Sequence, residues 1–145
     1  MKKTLKKLLT LTLALCFLIA PVATAANAEG VQPRLNNTMS AFSNMKITSA
    51  GKMNIAYNYT GYPGITTKAV VTTYVEKRVL GLFWSRVDIG TTNDEWVDTF
   101  YLDENAWSRS YQLSDSGTYR VKIEFKIYGS GGAADVLNHE HTDSY

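Results

Sequence analysis

The clearest pattern in the chain runs from Thr118 to Tyr128. Tyr119, Val121, Ile123, Phe125 and Ile127 fall on one side of an extended chain, and Arg120, Lys122, Glu124 and Lys126 fall on the other. A period of two with one apolar face marks a strand in an antiparallel sheet that is dry on one side. The same alternation sets Met53, Ile55, Tyr57 and Tyr59 against Asn54, Ala56 and Asn58. Gly61-Tyr62-Pro63-Gly64 predicts a turn, and Thr66 to Leu80, rich in Val, Thr and Tyr, predicts a long strand that Gly81 ends. Phe83 to Ile89 reads as its partner, with Phe83, Val87 and Ile89 on one face. After a polar turn from Gly90 to Glu95, strands are predicted over Trp96 to Leu102 and Trp107 to Leu113, interrupted by Asp103-Glu104-Asn105. Gly129-Ser130-Gly131-Gly132 predicts a flexible connection to a last strand, Ala134 to Ser144. Seven or eight short strands at this spacing predict an all-β sandwich or barrel.

The first residues are patterned differently. Lys2, Lys3, Lys6 and Lys7 precede an apolar run of 13 residues, Leu8 to Ala20. Pro21 breaks the run, and Ala26-Asn27-Ala28 supplies an A-x-A cleavage site. This is the layout of a secretory signal peptide over residues 1–28. The apolar run is shorter than the ~20 residues of a membrane span. The expected working protein is then Glu29 to Tyr145, secreted and extracellular, with an irregular segment over 29–37 and a β domain over 38–145. No second apolar segment and no sorting tail is seen, so no transmembrane anchor is expected.

The leader changes the reading of charge and cysteine. The whole chain carries +2, but residues 29–145 hold eleven cationic and thirteen acidic side chains, a net −2. Those charges are interspersed, which excludes a basic surface for nucleic acid. The one cysteine, Cys16, lies in the leader. A lipidated Cys would follow a small residue, and here it follows Leu15. The expected mature chain therefore has no disulfide, although export would permit one. A cysteine-free domain behind a short Lys-rich leader suits a Gram-positive bacterium.

Asp115-Ser116-Gly117-Thr118-Tyr119-Arg120-Val121 resembles the D-x-[GA]-x-Y-x-C signature of immunoglobulin-like domains. That resemblance implies that Tyr119 forms a tyrosine corner at the start of strand F, with Asp115 and Gly117 shaping the turn before it. Val121 stands where the second Cys of a disulfide-bonded domain would be. The order of Pro33-Arg34, Gly51-Lys52, Thr66-Thr67-Lys68, Trp84, Gly117 to Val121 and the Gly-rich turn resembles a group of small secreted proteins of Gram-positive bacteria. No activity comes with that group, so the resemblance implies compartment and an immunoglobulin-like antiparallel β-sandwich.

Three clusters invite chemistry. On a strand, His139, His141 and Asp143 share a face, and an H-x-H pair with a carboxylate suits zinc or copper. The alternative is the charged face of an edge strand, and no fourth ligand is visible. Trp96 and Trp107 lie beside acidic and Asn-rich turns and are the expected ligand-binding residues if exposed rings stack on a sugar; Trp84 is the expected core member. Asp94, Glu95, Asp98, Asp103 and Glu104 offer oxygens for calcium but match no known loop spacing. G-x-S-x-G and a phosphate-binding Gly loop are absent, and outside the leader there is no Cys and only two His. No cofactor and no enzymatic activity are expected. The leading expectation is a non-catalytic extracellular interaction module whose partner is a protein or glycan. The alternatives are a carbohydrate-binding module, a secreted antagonistic, bacteriocin-like protein, and a small hydrolase.

Cleavage after Ala28 should leave Glu29 as the mature N-terminus, and the intact mass of the protein recovered from culture medium checks it. A mass retaining Met1, or a lipid on Cys16, would remove the compartment argument; cleavage after Ala25 would only move the boundary.

Overall fold

The computed structural model describes residues 35–145; the leader, Cys16, the cleavage site and most of the segment 29–37 lie outside the described residues. Eight strands follow one another: β1 (Thr38–Ile47), β2 (Lys52–Gly61), β3 (Thr66–Val79), β4 (Phe83–Arg86), β5 (Trp96–Phe100), β6 (Glu104–Gln112), β7 (Thr118–Gly129) and β8 (Asp135–Ser144). They form two antiparallel sheets, one ordered β1-β2-β6 and the other β4-β3-β7-β8, with β5 also paired to β3. There is no helix among the described residues.

The alternating residues supply the core. Met53, Ile55, Tyr57 and Tyr59 from β2 meet Ala69, Val71 and Val75 from β3 and Tyr119, Val121, Ile123, Phe125 and Ile127 from β7, all buried. Each Val, Ile, Met or Phe among them contributes about 1.5–3 kcal/mol on leaving water. The polar partners in the alternation line the outer faces: Arg120 of β7 pairs with Glu76 and Glu140 there, and Arg86 lies 3.6 Å from the centre of the Tyr74 ring.

The chain turns where its residues favour it. Pro63 and Gly64 occupy the centre of a turn closed by Ile65 N–H donating to Tyr62 O at 3.0 Å, and Gly64 has φ 74°, the positive value that the second central residue of a type II turn needs. The Gly129–Gly132 connection is packed, contrary to the expected flexibility. Backbone of neighbouring segments runs so close that a Cβ at Gly129 would strike Ile65 O, and one at Gly131 would strike Asn36 O.

Asn37, expected in an irregular lead-in, is fully buried and joins three segments. Its N–H donates to Asp135 Oδ2 at 2.7 Å, its Nδ2 to Ala133 O at 2.8 Å, and its Oδ1 accepts from Gly131 N at 3.1 Å. Its carbonyl accepts from the Thr66 hydroxyl.

Tyr119 is 2 % exposed and its hydroxyl donates to Asp115 O at 2.7 Å. Gly117, at φ 150°, exchanges backbone hydrogen bonds with Tyr145, so the turn before β7 is closed from both sides. Tyr119→Phe should therefore cost about 1 kcal/mol, the net value of one hydrogen bond, and Tyr119→Ala about 3–5 kcal/mol. Urea unfolding of both variants checks this; a Phe variant as stable as wild type would show that the hydroxyl adds nothing.

Candidate functional site

The inward side chains of β8 follow the period of two from Asp135 through His139 and His141 to Asp143. His139, His141 and Asp143 do share a face, as the spacing predicts. That face points at β1 of the other sheet. Ser43 Oγ sits between the two rings, 2.8 Å from His139 Nδ1 and 2.8 Å from His141 Nε2. A hydroxyl has one proton to donate, so one imidazole accepts it and the other donates an N–H to Oγ. Asp143 accepts from Ile47 N at 2.9 Å and Ser144 N at 2.9 Å, and pairs with Lys46 at 3.3 Å. Its carboxylate is thus used by β1 backbone and does not orient an imidazole.

A serine bonded to imidazole is the beginning of a nucleophile–base pair. Here Ser43 is 3 % exposed, its side chain enclosed between β1 and β8. Among the described residues no group of three or more His, Cys, Asp or Glu converges as metal ligands. Ser43 carried no sequence signal, because a polar residue at an inward position looks like a break in the pattern.

The opposite margin has its own polar set. Asp98 of β5 accepts from Trp107 Nε1 at 3.2 Å and pairs with Arg109 at 2.6 Å, both on β6. Trp107 stacks on Tyr57 with 4.8 Å between ring centres and 7° between planes, with Phe100 4.6 Å away. Trp96 meets Tyr111 edge-on at 5.7 Å, and Arg109 lies 5.1 Å from the Trp96 ring. Both tryptophans are half-buried against the core rather than standing free beside their turns. The Tyr57 hydroxyl, Thr73 Oγ1 and Arg109 Nε are buried here without a well-aligned partner, although Thr73 and Arg109 lie near Tyr57. Loss of water dominates and pushes the Tyr57 hydroxyl up to about 12.

Trp84 reverses its expected place. It lies on the outer face of the β4-β3-β7-β8 sheet, between Arg120 at 4.4 Å and Arg78 at 5.9 Å. The acidic residues proposed for calcium are divided: Glu95 faces Arg86 at 3.8 Å, Asp98 turns inward, and Asp94 occupies a turn at φ 53°.

The β3–β4 hairpin carries a further feature. Leu82 N–H donates to Val79 O at 3.1 Å across Leu80 and Gly81, whose φ values are 53° and 68°. Two positive φ values define the tight hairpin turn that normally takes Asn-Gly. Leu80 is 82 % exposed, Leu82 81 % and Phe83 52 %. The sequence does show Leu on both sides of Gly81, where a turn is usually polar.

No family model matches the chain, and no curated protein matches it.

The seam between β1 and β8 should weaken in acid. Burial and then the neighbouring His141 hold His139 below its ordinary 6.5. The Ile47 and Ser144 N–H groups hold Asp143 below its ordinary 3.8. Both groups then bind protons more readily when unfolded. Stability is therefore full above about pH 6.5, falls as His139 takes up a proton below it, and falls again as Asp143 does below about 3.8. Urea midpoints at pH 7.5 and 5.5 check the first step, which should shrink in His139→Gln. A wild-type midpoint that is the same at both values would show that the imidazole does not titrate in the folded state differently from the unfolded one.

Proposed function

We propose that the chain is a secreted, non-catalytic interaction module on an immunoglobulin-like sandwich, working against a cell envelope, matrix or protein. The observation that carries this reading is the exposed apolar hairpin at Leu80, Leu82 and Phe83. Contiguous apolar surface on a domain with a filled core marks a place of contact.

Secretion rests on the leader pattern from Lys2 to Ala28. The immunoglobulin-like reading is supported by strand order. With β1, β2, β3, β6, β7 and β8 taken as A, B, C, E, F and G, one sheet holds A, B and E and the other holds C, F and G. Apart from strand D, that is the division of an immunoglobulin constant-type domain. The Tyr119 bond to Asp115 O falls at the start of F, where a tyrosine corner belongs. The non-catalytic reading is supported by the use of Ser43, His139 and His141 in joining the sheets.

Protein recovered from the medium should be retained on intact cells of the producing culture after washing. The Leu80→Asn, Leu82→Ser double variant should be retained several-fold less. Equal retention of both proteins, or wild type found only inside the cells, would remove the reading. Release by soluble envelope polysaccharide would instead favour the carbohydrate-binding alternative.

A further inference from the structure

We propose that the β3–β4 hairpin docks the domain on an anionic lipid surface, with Leu80, Leu82 and Phe83 entering the acyl boundary. The proposal rests on the interaction-module reading and names its partner. Three observations favour a bilayer over a protein.

The first is reach. The last pair between β3 and β7 is Lys77 with Tyr119, so the hairpin runs on past the end of β7, with Val79 lining a cavity beside Leu113 and Asp115 and the turn beyond it. Three residues of extended chain reach about 10 Å. Interfacial apolar groups sink about 5–10 Å into the boundary between headgroups and acyl chains.

The second is the order of side chains along the hairpin. Leu80 and Leu82 stand at the tip and Phe83 next. Trp84 opposite Arg78 comes after them, and Arg86 opposite Glu76 follows. Aliphatic groups, then aromatics, then cations is the order in which a bilayer presents hydrocarbon, interface and phosphate. Of the three cations from Glu76 to Arg86, Lys77 pairs with Asp115 at 3.3 Å and Arg86 faces Glu95 at 3.8 Å. Arg78 is exposed and makes no ion pair among the described residues, so its charge is available to a headgroup.

The third is size. The tip offers three exposed apolar side chains, Leu80, Leu82 and Phe83, against the roughly 20–30 residues a side of a stable protein interface. The cavity beside the hairpin is lined by Lys77, Val79, Ser85 and Arg86 at its base and not by Leu80, Leu82 or Phe83, so the tip stands outside it, which suits a fluid surface.

The backbone adds a sign. Leu80 holds φ 53°, a conformation that Asn and Gly adopt more readily than Leu. An apolar residue kept where a polar one fits better points to use of its side chain.

Flotation with vesicles of the protein recovered from culture medium tests the proposal, and the difference between wild type and tip variant reads the tip. Wild type should float with vesicles of phosphatidylcholine and phosphatidylglycerol, and at least tenfold less with phosphatidylcholine alone or in high salt. Leu80→Asn, Leu82→Ser should lose at least tenfold on the anionic vesicles while unfolding at the same or a higher urea concentration. Arg78→Gln should lose less and flatten the salt dependence. A tip variant that floats as wild type does, a wild type that does not float, or equal flotation on neutral vesicles would each overturn the proposal. A wild-type dimer in light scattering that the tip variant dissolves would overturn it too, in favour of a second copy as the occupant. Retention on cells without flotation would sink the lipid assignment alone; loss of both would sink the module with it.

Discussion

Two sheets with no disulfide between them must be kept together and in register by packing and by the groups along their margins. The core of β2, β3 and β7 supplies the attraction, but a dry apolar layer has little directional preference. Direction comes from β8. Asp135 accepts from the backbone N–H groups of Asn36 and Asn37, and Asp143 accepts from that of Ile47, so the two carboxylates hold both ends of β1. Ser43 and the two imidazoles hold its middle. At the other margin, Asp98 ties β5 to Trp107 and Arg109 of β6. Each margin uses an acid from one sheet and donors from the other.

Such sets fix one arrangement by making the alternatives costly. A slip of β8 by one residue would turn Asp135, His139, His141 and Asp143 outward together. Ser43 and the N–H groups of Asn37 and Ile47 would then lose their partners, at about 1–3 kcal/mol for each buried group left unpaired. The same dependence makes the seam sensitive to acid, because its partners are groups that a proton can change. Asp98 places the opposite margin among aromatic rings, where the weakly hydrated Arg109 suits a half-buried pair.

The parts of this fold that were legible in the sequence were those where one face is uniformly apolar. β7 and β2 are such strands, and their faces and limits read directly from Tyr119 to Ile127 and Met53 to Tyr59. The β8 face was also legible, but its direction was not: period tells which residues share a side and not which side is inward. β1 was not singled out at all. Its exposed positions include Met39 and Phe42, and one of its buried positions is Ser43, so its alternation runs against the usual order. The three tryptophans show the same limit. Trp96 and Trp107 come from half-buried strands whose inward side is decided by pairing with β3 and β2, and Trp84 comes from a short strand whose outward side is set by Arg78 across the hairpin. The Gly-rich turn looked flexible by composition; its glycines answer instead to backbone passing from residues 36 and 65, which lie far off in sequence.

The molecule divides its side chains in an unusual way, and the division bears on function. Serine, histidine, tryptophan and paired charges, the usual material of an exposed site, are largely drawn into the joints between sheets or into ion pairs on sheet faces. Leu80, Leu82 and Phe83, residue types usual in a core, stand at the end of a hairpin. The core does not need them, since β2, β3 and β7 already fill it with fully buried residues. The turn does not need them either: Gly81 serves it, and Leu80 sits at a positive φ that costs a branched apolar residue about 1–2 kcal/mol. Neither packing nor local geometry accounts for leucine at the tip; the proposed contact with an apolar phase outside the domain would. On the outer face of the β4-β3-β7-β8 sheet, Arg120 is held by Glu76 and Glu140 and stacks on Trp84. On the proposed reading a partner accounts for the composition of the hairpin end, which exposes Leu80 and Leu82 more fully than Met39, Phe42, Tyr101 and Leu102 are exposed elsewhere on the domain.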